Sequence, residues 1–525
     1  MGGGLIQLAA YGAQDLYLTG NPQITFFKVL YKRHTNFAIE SIQQTFNGKP
    51  EPGSKLTATI SRNGDLIHKM WLTATIPDIS ITFDNQLNGI TSTTATLHLA
   101  RKFGYVLLKS CELMIGGQQI DKHYGDWMNI WNELTLQESK KDGFSQLIGD
   151  GEGTTNPKFK PYSYSGFSFS YNEIQNSESS LSDKMSQNPT DYDKKGFIPS
   201  HEINIPLEFW FCRNPGLALP LIALQYHDIR INIELNEAKY YGMMSLVSTY
   251  SPGGLDNKAI FTIGQNTANT ITTKKPLSNN INVARKLLSE FQFSSIYLWV
   301  DYIYLDIDER RRFSQTSHEY LIEQLQYTGE EAITPVANTP YGINLHFNHT
   351  IKELFWVIQP NTNLTEKELQ ATDGDAVFDD AETNASHCYL DYQFYTDAGQ
   401  YISETTQAAL LTANIQQYPV NPVISAYLEM NGQERFKERT GEYFNLVQPY
   451  QNHTRIPSDK GINVYSFALR PEEHQPSGVC NLSRIDDVKL YLTLRSSIVH
   501  KARVYALGYN VLRILSGMAG LAFAI

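Results

Sequence analysis

Two histidine–glutamate pairs in the sequence begin like a zinc-binding motif. They are His201-Glu202 and His318-Glu319. The H-E-x-x-H motif binds zinc through two histidines on one face of a helix, with the glutamate as general base. Both pairs lack the second histidine, because residues 205 and 322 are isoleucine. The spacing therefore excludes a zinc hydrolase of this type.

Other groupings of reactive residues are also incomplete as motifs. His346/His349 and His387/Cys388 are more typical of ordinary surface or strand residues than of metal ligands. Gly48-Lys49 lacks the upstream glycine of a phosphate-binding loop, and no G-x-S-x-G motif of serine hydrolases occurs. We predict no catalytic residues, no metal and no cofactor.

Two charged clusters have simpler interpretations than a ligand site. The carboxylates between Asp373 and Glu382 do not follow the EF-hand spacing, so an exposed acidic loop is predicted. The arginines at 310–312 follow acidic residues at 306–309. That mixture predicts salt bridges within or between subunits rather than a nucleic-acid contact.

Five N-x-[ST] sequons are candidate glycosylation sites, all in the second half of the chain. The N-terminal residues show no basic region of a signal peptide, so we expect that standard glycosylation does not reach them. The candidates are Asn348, Asn363, Asn384, Asn452 and Asn481.

The composition indicates the kind of fold that must position any such residues. The chain has 525 residues, of which 41% are hydrophobic, 12% aromatic and only 18% charged. This length favours two large domains, and the aromatic content favours strands. The net charge of −11 argues against a surface that wraps nucleic acid. The widely spaced cysteines, which predict free thiols, are Cys111, Cys212, Cys388 and Cys480.

Strand patterns dominate the chain. Alternating or short apolar runs bounded by Gly, Pro and Asn occur at 201–212, 227–235, 296–308, 462–469 and 488–494. Helical patterns are few, at 126–141 and at 364–371. No apolar run reaches the length of a membrane-spanning helix.

An internal repeat is the most informative feature. Segments of the first half recur in the same order in the second, separated by insertions of different length, which surface loops tolerate. We predict two copies of one β domain, 25–312 and 313–515, with arms at 1–24 and 516–525. The matched segments are 37–43 with 320–326, 110–118 with 425–433, 125–127 with 441–443, 227–235 with 486–494, and 302–305 with 504–507.

Long polar insertions interrupt the repeat at about 138–200, 236–293 and 360–420. Loops of this length in a compact domain are usually functional surfaces or mobile segments. An eight-stranded domain that carries such loops is a sandwich or a barrel, and the double-sheet jelly roll is the natural candidate. We predict an all-β fold of two tandem eight-stranded jelly rolls.

Segments at both termini and in both repeats carry a further signal. They are 2–8, 11–15, 18–28, 31–37, 219–227, 300–306, 309–312, 318–323 and 513–523. These segments resemble the major capsid proteins of nucleocytoplasmic large DNA viruses, closest to those of viruses of algae and other protists. The resemblance leaves mainly the long insertions unmatched.

The resemblance implies a structural protein of the virion, assembled in the host cytoplasm. Family members form homotrimers with a pseudo-hexagonal outline that tile an icosahedral shell over an internal membrane. The implied partners are neighbouring capsomers, minor capsid proteins, penton proteins and, indirectly, the membrane, with no direct nucleic acid. The insertions are expected on the outer face and the arms at the inner base.

Two other classes of function remain open at this point. A carbohydrate-active enzyme or lectin on a β sandwich would suit the aromatic content, and a hydrolase would need two opposed carboxylates in a cleft. A minor capsid or spike protein could have the same fold, because fold alone does not decide function.

Overall fold

The computed structural model describes residues 3–83, 90–150, 167–170, 197–198, 200–250, 257–264, 267–273, 281–336, 339–360, 390, 392, 394–397, 400–401, 417–495 and 500–523. The chain in these ranges is mostly β-strand. The strands are β1 Phe37–Thr45, β2 Lys55–Thr59, β3 Leu66–Ile76, β4 Ile79–Phe83, β5 Ile90–Leu99, β6 Leu108–Ile115, β7 Gln118–His123, β8 Phe167–Ser170, β9 Phe197–Ile198, β10 His201–Pro206, β11 Leu219–Pro220, β12 Ile229–Leu235, β13 Gly242–Tyr250, β14 Asn257–Ile263, β15 Thr267–Thr273, β16 Ile281–Leu287, β17 Ser295–Leu305, β18 His318–Ile333, β19 Pro340–Asn344, β20 Thr350–Pro360, β21 Phe394–Asp397, β22 Gln400–Tyr401, β23 Gln417–Val420, β24 Val423–Met430, β25 Gln433–Thr440, β26 Asn463–Ser466, β27 Cys480–Asn481, β28 Val488–Leu494, β29 His500–Leu515 and β30 Met518–Leu521.

The helices are short. The α-helices are α1 Gly3–Ala9, α2 Leu16–Thr19, α3 Phe103–Leu107, α4 Gly125–Thr135, α5 Lys141–Ile148, α6 Trp210–Arg213, α7 Ile307–Gln315 and α8 Gln448–Asn452. A π-helical turn, Tyr443–Val447, runs directly into α8. Short 3-10 turns lie at Glu138–Lys140, Pro215–Leu217, Leu221–Ala223, Ala238–Tyr240 and Leu482–Arg484. Among the described residues no helix is long and apolar enough to cross a membrane.

The first jelly roll is built from two facing sheets. One sheet has the order β1-β17-β3-β10, and the other has the order β2-β12-β6-β7. When these strands are numbered one to eight along the chain, the orders become 1-8-3-6 and 2-7-4-5. This double-sheet, eight-stranded arrangement is a jelly roll.

The second jelly roll repeats that topology strand for strand. Its sheets have the orders β18-β29-β20-β26 and β19-β28-β24-β25, which number as 1-8-3-6 and 2-7-4-5 in the same way. The matched segments 227–235 and 486–494 both supply the seventh strand, as β12 and β28. The predicted fold class is confirmed, while the exact domain boundaries stay a prediction.

The insertions contain more strand than their polar composition indicates. Two further four-stranded sheets have the orders β16-β13-β5-β8 and β15-β14-β4-β9. Each combines two strands from 236–293 with one strand from 79–99 and one from the first insertion, β8 or β9. A small sheet, β22-β21-β23, comes from the third insertion. Thr, Ile and Val are frequent in these segments and fit a pleated surface, but their partners are remote in sequence.

The predicted helix at 126–141 forms but is not continuous. α4 ends at Thr135, and α5 begins at Lys141 after a 3-10 turn. The predicted helix at 364–371 lies outside the described residues.

Candidate assembly surfaces

The two jelly rolls meet in an aromatic seam that α4 forms on the first sheet of the second roll. The Trp127 ring packs against Phe355 with centroids 4.9 Å apart and against Tyr505 at 6.0 Å. Tyr124 packs edge-on against Tyr327 at 4.8 Å. Trp127, Phe355 and Tyr505 are fully buried. The seam therefore has the character of a domain core rather than of a transient contact.

Buried charges cross the same seam. Glu323 of β18 accepts from Lys352 of β20, with Nζ to Oε1 at 2.5 Å, and from Arg213 of α6 at 3.0 Å. The Arg213 guanidinium also lies 4.8 Å from the Trp131 ring, a cation–π contact. Burial alone would raise the pKa of Glu323, but the two cations hold it below its usual value. An arginine of one roll is thus fixed on a carboxylate of the other.

Two more ionic contacts join the rolls. Arg503 of β29 is 2.7 Å from Asp126 of α4. Glu133, near the end of α4, binds Lys102 at 2.8 Å and Arg455 of the second roll at 2.6 Å. Although burial opposes ionisation, these two cations hold the pKa of Glu133 well below its usual range. Each partner's charge is needed, since an unpaired buried charge is costly.

A buried histidine sits beside this seam, between two carboxylates. The His453 ring places Nε2 3.1 Å from Glu353 Oε1 and Nδ1 3.1 Å from Glu472 Oε1. Burial alone would lower the pKa of His453, but the two glutamates raise it to about 9. His453 is therefore protonated in the folded protein at neutral pH.

We expect stability to fall on the alkaline side because of His453. Its folded pKa of about 9 exceeds the usual 6.5, so its contribution is complete below about pH 6.5 and disappears as the pH rises through about 9. The contribution amounts to about 3 kcal/mol. Urea denaturation at pH 6, 7.5 and 9.5 measures it, and His453→Gln should flatten the profile. His346→Gln, at an exposed histidine, is the control; an equal change in both variants would contradict the assignment.

Both chain arms leave from one end of the molecule, here called the arm end. The start of β1 pairs with the end of β17, Phe37 with Leu305, and the start of β18 pairs with the end of β29, His318 with Ile514. The connecting helix α7 joins the rolls at the same end. Its Arg310 lies 3.0 Å from Asp65. Of the arginines at 310–312, this one makes the predicted salt bridge within the chain.

The C-terminal segment is part of the fold. β30 pairs with β29 as an added edge strand. The Tyr226 amide of the first roll donates to the Gly517 carbonyl at 3.1 Å, and the Ala519 amide lies 3.1 Å from His227 Nδ1. The segment therefore ties the second roll to the first, and we describe it as a docked strand.

The described part of the N-terminal arm, from Gly3 onward, is not docked in this way. No residue of α1 or α2 is buried. Large apolar side chains along the arm and the segment that follows it, up to residue 31, are exposed. The segment 16–39 contains no acidic residue. The exposed side chains are Leu5, Ile6, Leu8, Tyr11, Leu16, Tyr17, Leu18, Ile24, Phe26, Phe27, Val29, Leu30 and Tyr31. An apolar surface of this extent marks a docking site rather than a solvated tail.

The insertions leave from the opposite end, here called the insertion end. In the first roll Ile76 pairs with His201, and both adjoin inserted segments. In the second roll Pro360 pairs with His500, and the third insertion follows directly. β3 and β20, which run between the two ends, have 11 residues each, and a strand of that length spans about 35 Å. The fold thus separates the N-terminal arm from the insertions.

Three of the five sequons fall on described residues. Asn348 and Asn481 are exposed, and they are close together because Thr350 pairs with Asn481. Asn452 is half-buried, and its amide donates to the Gln448 carbonyl at 3.1 Å. Asn363 and Asn384 lie outside the described residues. Glycosylation at any of these sites stays a prediction.

The other candidate residues are dispersed. In the part of the chain that the structure describes, no three His, Cys, Asp or Glu side chains are grouped as metal ligands. His201 begins β10 and His318 begins β18, in different jelly rolls. The acidic segment between Asp373 and Glu382 lies outside the described residues, as does the His387/Cys388 pair.

Sequence reasoning did not identify the ionic seam. Arg213, Glu323 and Lys352 come from three distant segments, and each looks like an ordinary surface charge in its local sequence. A partial signal was present in Glu323, which falls within a repeated segment. Only the docked rolls reveal that these charges are buried together.

Comparisons with known proteins agree with this architecture. The family model described as major capsid protein N-terminus matches residues 25–306, and the one described as large eukaryotic DNA virus major capsid protein matches residues 309–520. The chain is 41% identical to the major capsid protein of Phaeocystis pouchetii virus and 37% identical to that of Paramecium bursaria Chlorella virus 1, over the full length of each.

Solved structures show the same fold. The chain in a quasi-atomic model of the PBCV-1 virus capsid is 29% identical, with a TM-score of 0.62 over 95% of this chain and 100% of that one. The Faustovirus major capsid protein has a TM-score of 0.62 at 13% identity, covering 96% of this chain and 94% of that one. The second likeness supports the fold alone.

Proposed function

The chain belongs to the major capsid proteins of large eukaryotic DNA viruses, and from that premise we propose that three copies form a pseudo-hexagonal capsomer that tiles an icosahedral shell over an internal membrane. As a major capsid protein it is a structural protein and not an enzyme. The observation that carries the proposal is the duplicated strand order, 1-8-3-6 and 2-7-4-5 in both rolls. Two similar rolls per chain make a three-fold assembly approximately six-fold.

The separation of the two ends supports an orientation in the shell. The insertion end faces outward in this proposal, and the arm end faces inward. The exposed apolar side chains of residues 5–31 support this choice, because on the outer face they would form an apolar patch that promotes aggregation. On the inner side they dock on minor capsid proteins.

The proposed partners follow from that orientation. Neighbouring capsomers contact the sides of the rolls, and minor capsid and penton proteins contact the arm end. The internal membrane is reached indirectly. Direct DNA contact is not proposed, because the net charge of −11 opposes it. The protein would assemble in the host cytoplasm and reside in the virion.

Light scattering on the purified chain tests the assembly. We expect a mass of about 180 kDa, three times the chain mass of 59.5 kDa. Deleting residues 2–20 should leave the trimer folded but impair shell closure, because none of the residues in α1 or α2 is buried. Thermal unfolding and electron micrographs of the assembled material measure the two effects.

Deleting residues 516–523 is the contrasting control. This deletion removes β30 and its contacts with Tyr226 and His227, so the fold itself should lose stability. If the N-terminal deletion prevents folding or trimer formation, the arm is part of the core and the proposed docking role is wrong. A monomer of the full chain at micromolar concentration would contradict the trimer.

A further inference from the structure

The contact between the two rolls of one chain has two sides, here called the donor side and the acceptor side. The donor side is α4 with the neighbouring β7 and α6 of the first roll. The acceptor side is the outward face of the β18-β29-β20-β26 sheet in the second roll. Because the second roll has the same topology, it owns a donor side of its own, and the first roll owns an acceptor side.

The donor helix of the second roll is identified by its first glycine. A Cβ on Gly125 would lie 2.1 Å from the Tyr105 carbonyl oxygen and 2.4 Å from that of Leu108. A Cβ on Gly441 would lie 2.1 Å from the Val423 carbonyl oxygen. Leu108 and Val423 begin the equivalent strands β6 and β24. Only glycine fits this close approach, so the two helices start in the same place.

Aligning the two glycines compares the helix faces residue by residue. Nearly all residues of α4 are buried, whereas one face of the counterpart segment 443–452, formed by residues 446, 447, 450 and 451, is exposed. Three aligned pairs show the contrast in exposed fraction: Ile130 at 0% with Leu446 at 41%, Trp131 at 5% with Val447 at 40%, and Leu134 at 0% with Tyr450 at 78%.

The edge strands show the same contrast. β7 buries Ile120, Asp121 and His123 where it adjoins β18. Its equivalent β25 is exposed along nearly its whole length. On the acceptor side, β18 buries residues 322–325, while its equivalent β1 is mostly exposed. Each surface that is buried between the two rolls of the chain is therefore exposed at the equivalent position on the other roll.

The acceptor face of the first roll is aromatic. The sequence at 67–72, Ile-His-Lys-Met-Trp-Leu, aligns with Ile-Lys-Glu-Leu-Phe-Trp at 351–356. Trp71 pairs with Trp299 across β3 and β17, as Phe355 pairs with Tyr505 across β20 and β29. Phe355 and Tyr505 are buried under Trp127, whereas Trp71 and Trp299 are partly exposed.

From these differences we infer that residues 443–452 of one copy pack on the Trp71–Trp299 face of a second copy. This inference rests on the proposed function, and it names the surfaces that join the copies. Tyr443 stands at the position of Trp127 in the alignment. The contact between copies then repeats the contact within the chain. Such a head-to-tail contact joins the one donor side of each copy to the one acceptor side of the next, and it forms a ring when its rotation closes after three copies.

Charge complementarity supports the same pairing. Within the chain, Arg213 after β10 reaches Glu323 on the edge strand β18 at 3.0 Å. Arg470 follows the equivalent strand β26; its side chain is 72% exposed and lies 3.2 Å from Glu473 of the same chain, an exposed pair that water can replace. The equivalent edge strand β1 carries one acidic residue, the exposed Glu40. Arg470 of one copy and Glu40 of the next are thus placed to form the corresponding ion pair.

Complementation between two variants tests the inference. The donor variant is Leu446→Lys with Tyr450→Lys, and the acceptor variant is Trp71→Thr with Trp299→Lys. Each variant alone should lose the trimer and run as a monomer of about 60 kDa by light scattering. Mixed in equal amounts, they should form a pair of about 120 kDa, since one intact donor meets one intact acceptor. The control Ile307→Lys with Val336→Lys, at exposed apolar residues elsewhere, should remain trimeric.

The outcomes separate this inference from the proposed function. A trimeric donor variant, or an equal mixture that stays monomeric, overturns the interface while leaving a wild-type trimer intact. A monomeric wild type overturns the proposed function itself. If circular dichroism shows that either variant does not fold, amide hydrogen exchange of the wild-type protein tests the interface instead. It is measured at protein concentrations below and above those at which the trimer forms. Slower exchange at 443–452 and 66–76 in the trimer supports the interface, and unchanged exchange overturns it.

Discussion

Replacing Trp127 by alanine is expected to lower the free energy of unfolding by about 4 kcal/mol, the usual cost of truncating a buried tryptophan. The ring is 1% exposed and lies between the two rolls, against Phe355 and Tyr505. Its loss leaves a cavity at the seam, so docking of the rolls should weaken before either roll unfolds. Urea denaturation followed by far-ultraviolet circular dichroism measures the change.

Tyr31→Ala serves as the control for Trp127→Ala. Tyr31 is an aromatic residue between the N-terminal arm and β1 with 89% of its surface exposed, so its replacement should change the free energy of unfolding by no more than about 0.5 kcal/mol. If Trp127→Ala costs no more than Tyr31→Ala, the seam does not hold the rolls together in the way its packing indicates.

Replacing Glu323 by leucine is expected to cost about 3–5 kcal/mol. The change leaves two cations, Lys352 and Arg213, facing an apolar group where a carboxylate had paired with both. Lys352 has no exposed side-chain surface, so water cannot replace the lost partner. The denaturation midpoint of the variant, measured at neutral pH, gives the cost.

Glu319→Leu provides a matched control on the same strand. Glu319 pairs with Arg513 at 2.9 Å, but both side chains are more than half exposed, at 65 and 61%. Exposed pairs of this kind contribute about 1 kcal/mol or less. Equal losses in the two variants would show that the burial of Glu323 has no energetic consequence.

The repeat made the architecture predictable from the sequence. Segments such as 227–235 and 486–494 carry period-two alternation, which fixes a strand with one buried face. Their shared order along the chain identified a duplicated β domain. The match of 302–305 with 504–507 found the right pair of strands, β17 and β29. The register of that match was displaced, because it aligns Tyr505 with Ile303. In the structure Trp299 takes the equivalent place, opposite Trp71 as Tyr505 is opposite Phe355.

The assembly surfaces were less accessible to sequence reasoning. The insertion sheets pair strands such as β5 and β13 from distant segments, so no local pattern marks them. The seam charges behave similarly, since burial of Glu323 depends on the docking of the other roll. The C-terminal segment was expected as an arm, and residues 518–521 form β30, which pairs with β29. Its position at the inner base stays a prediction.

An electron cryomicroscopy reconstruction of the assembled capsomer tests the central claim most directly. The account predicts three chains and six jelly rolls around a three-fold axis, with the insertion ends on the outer face and the N-terminal arms on the inner face. The contact between chains should repeat the contact between the rolls of one chain. A capsomer that contains another number of chains, or one with the N-terminal arms outward, would contradict the account.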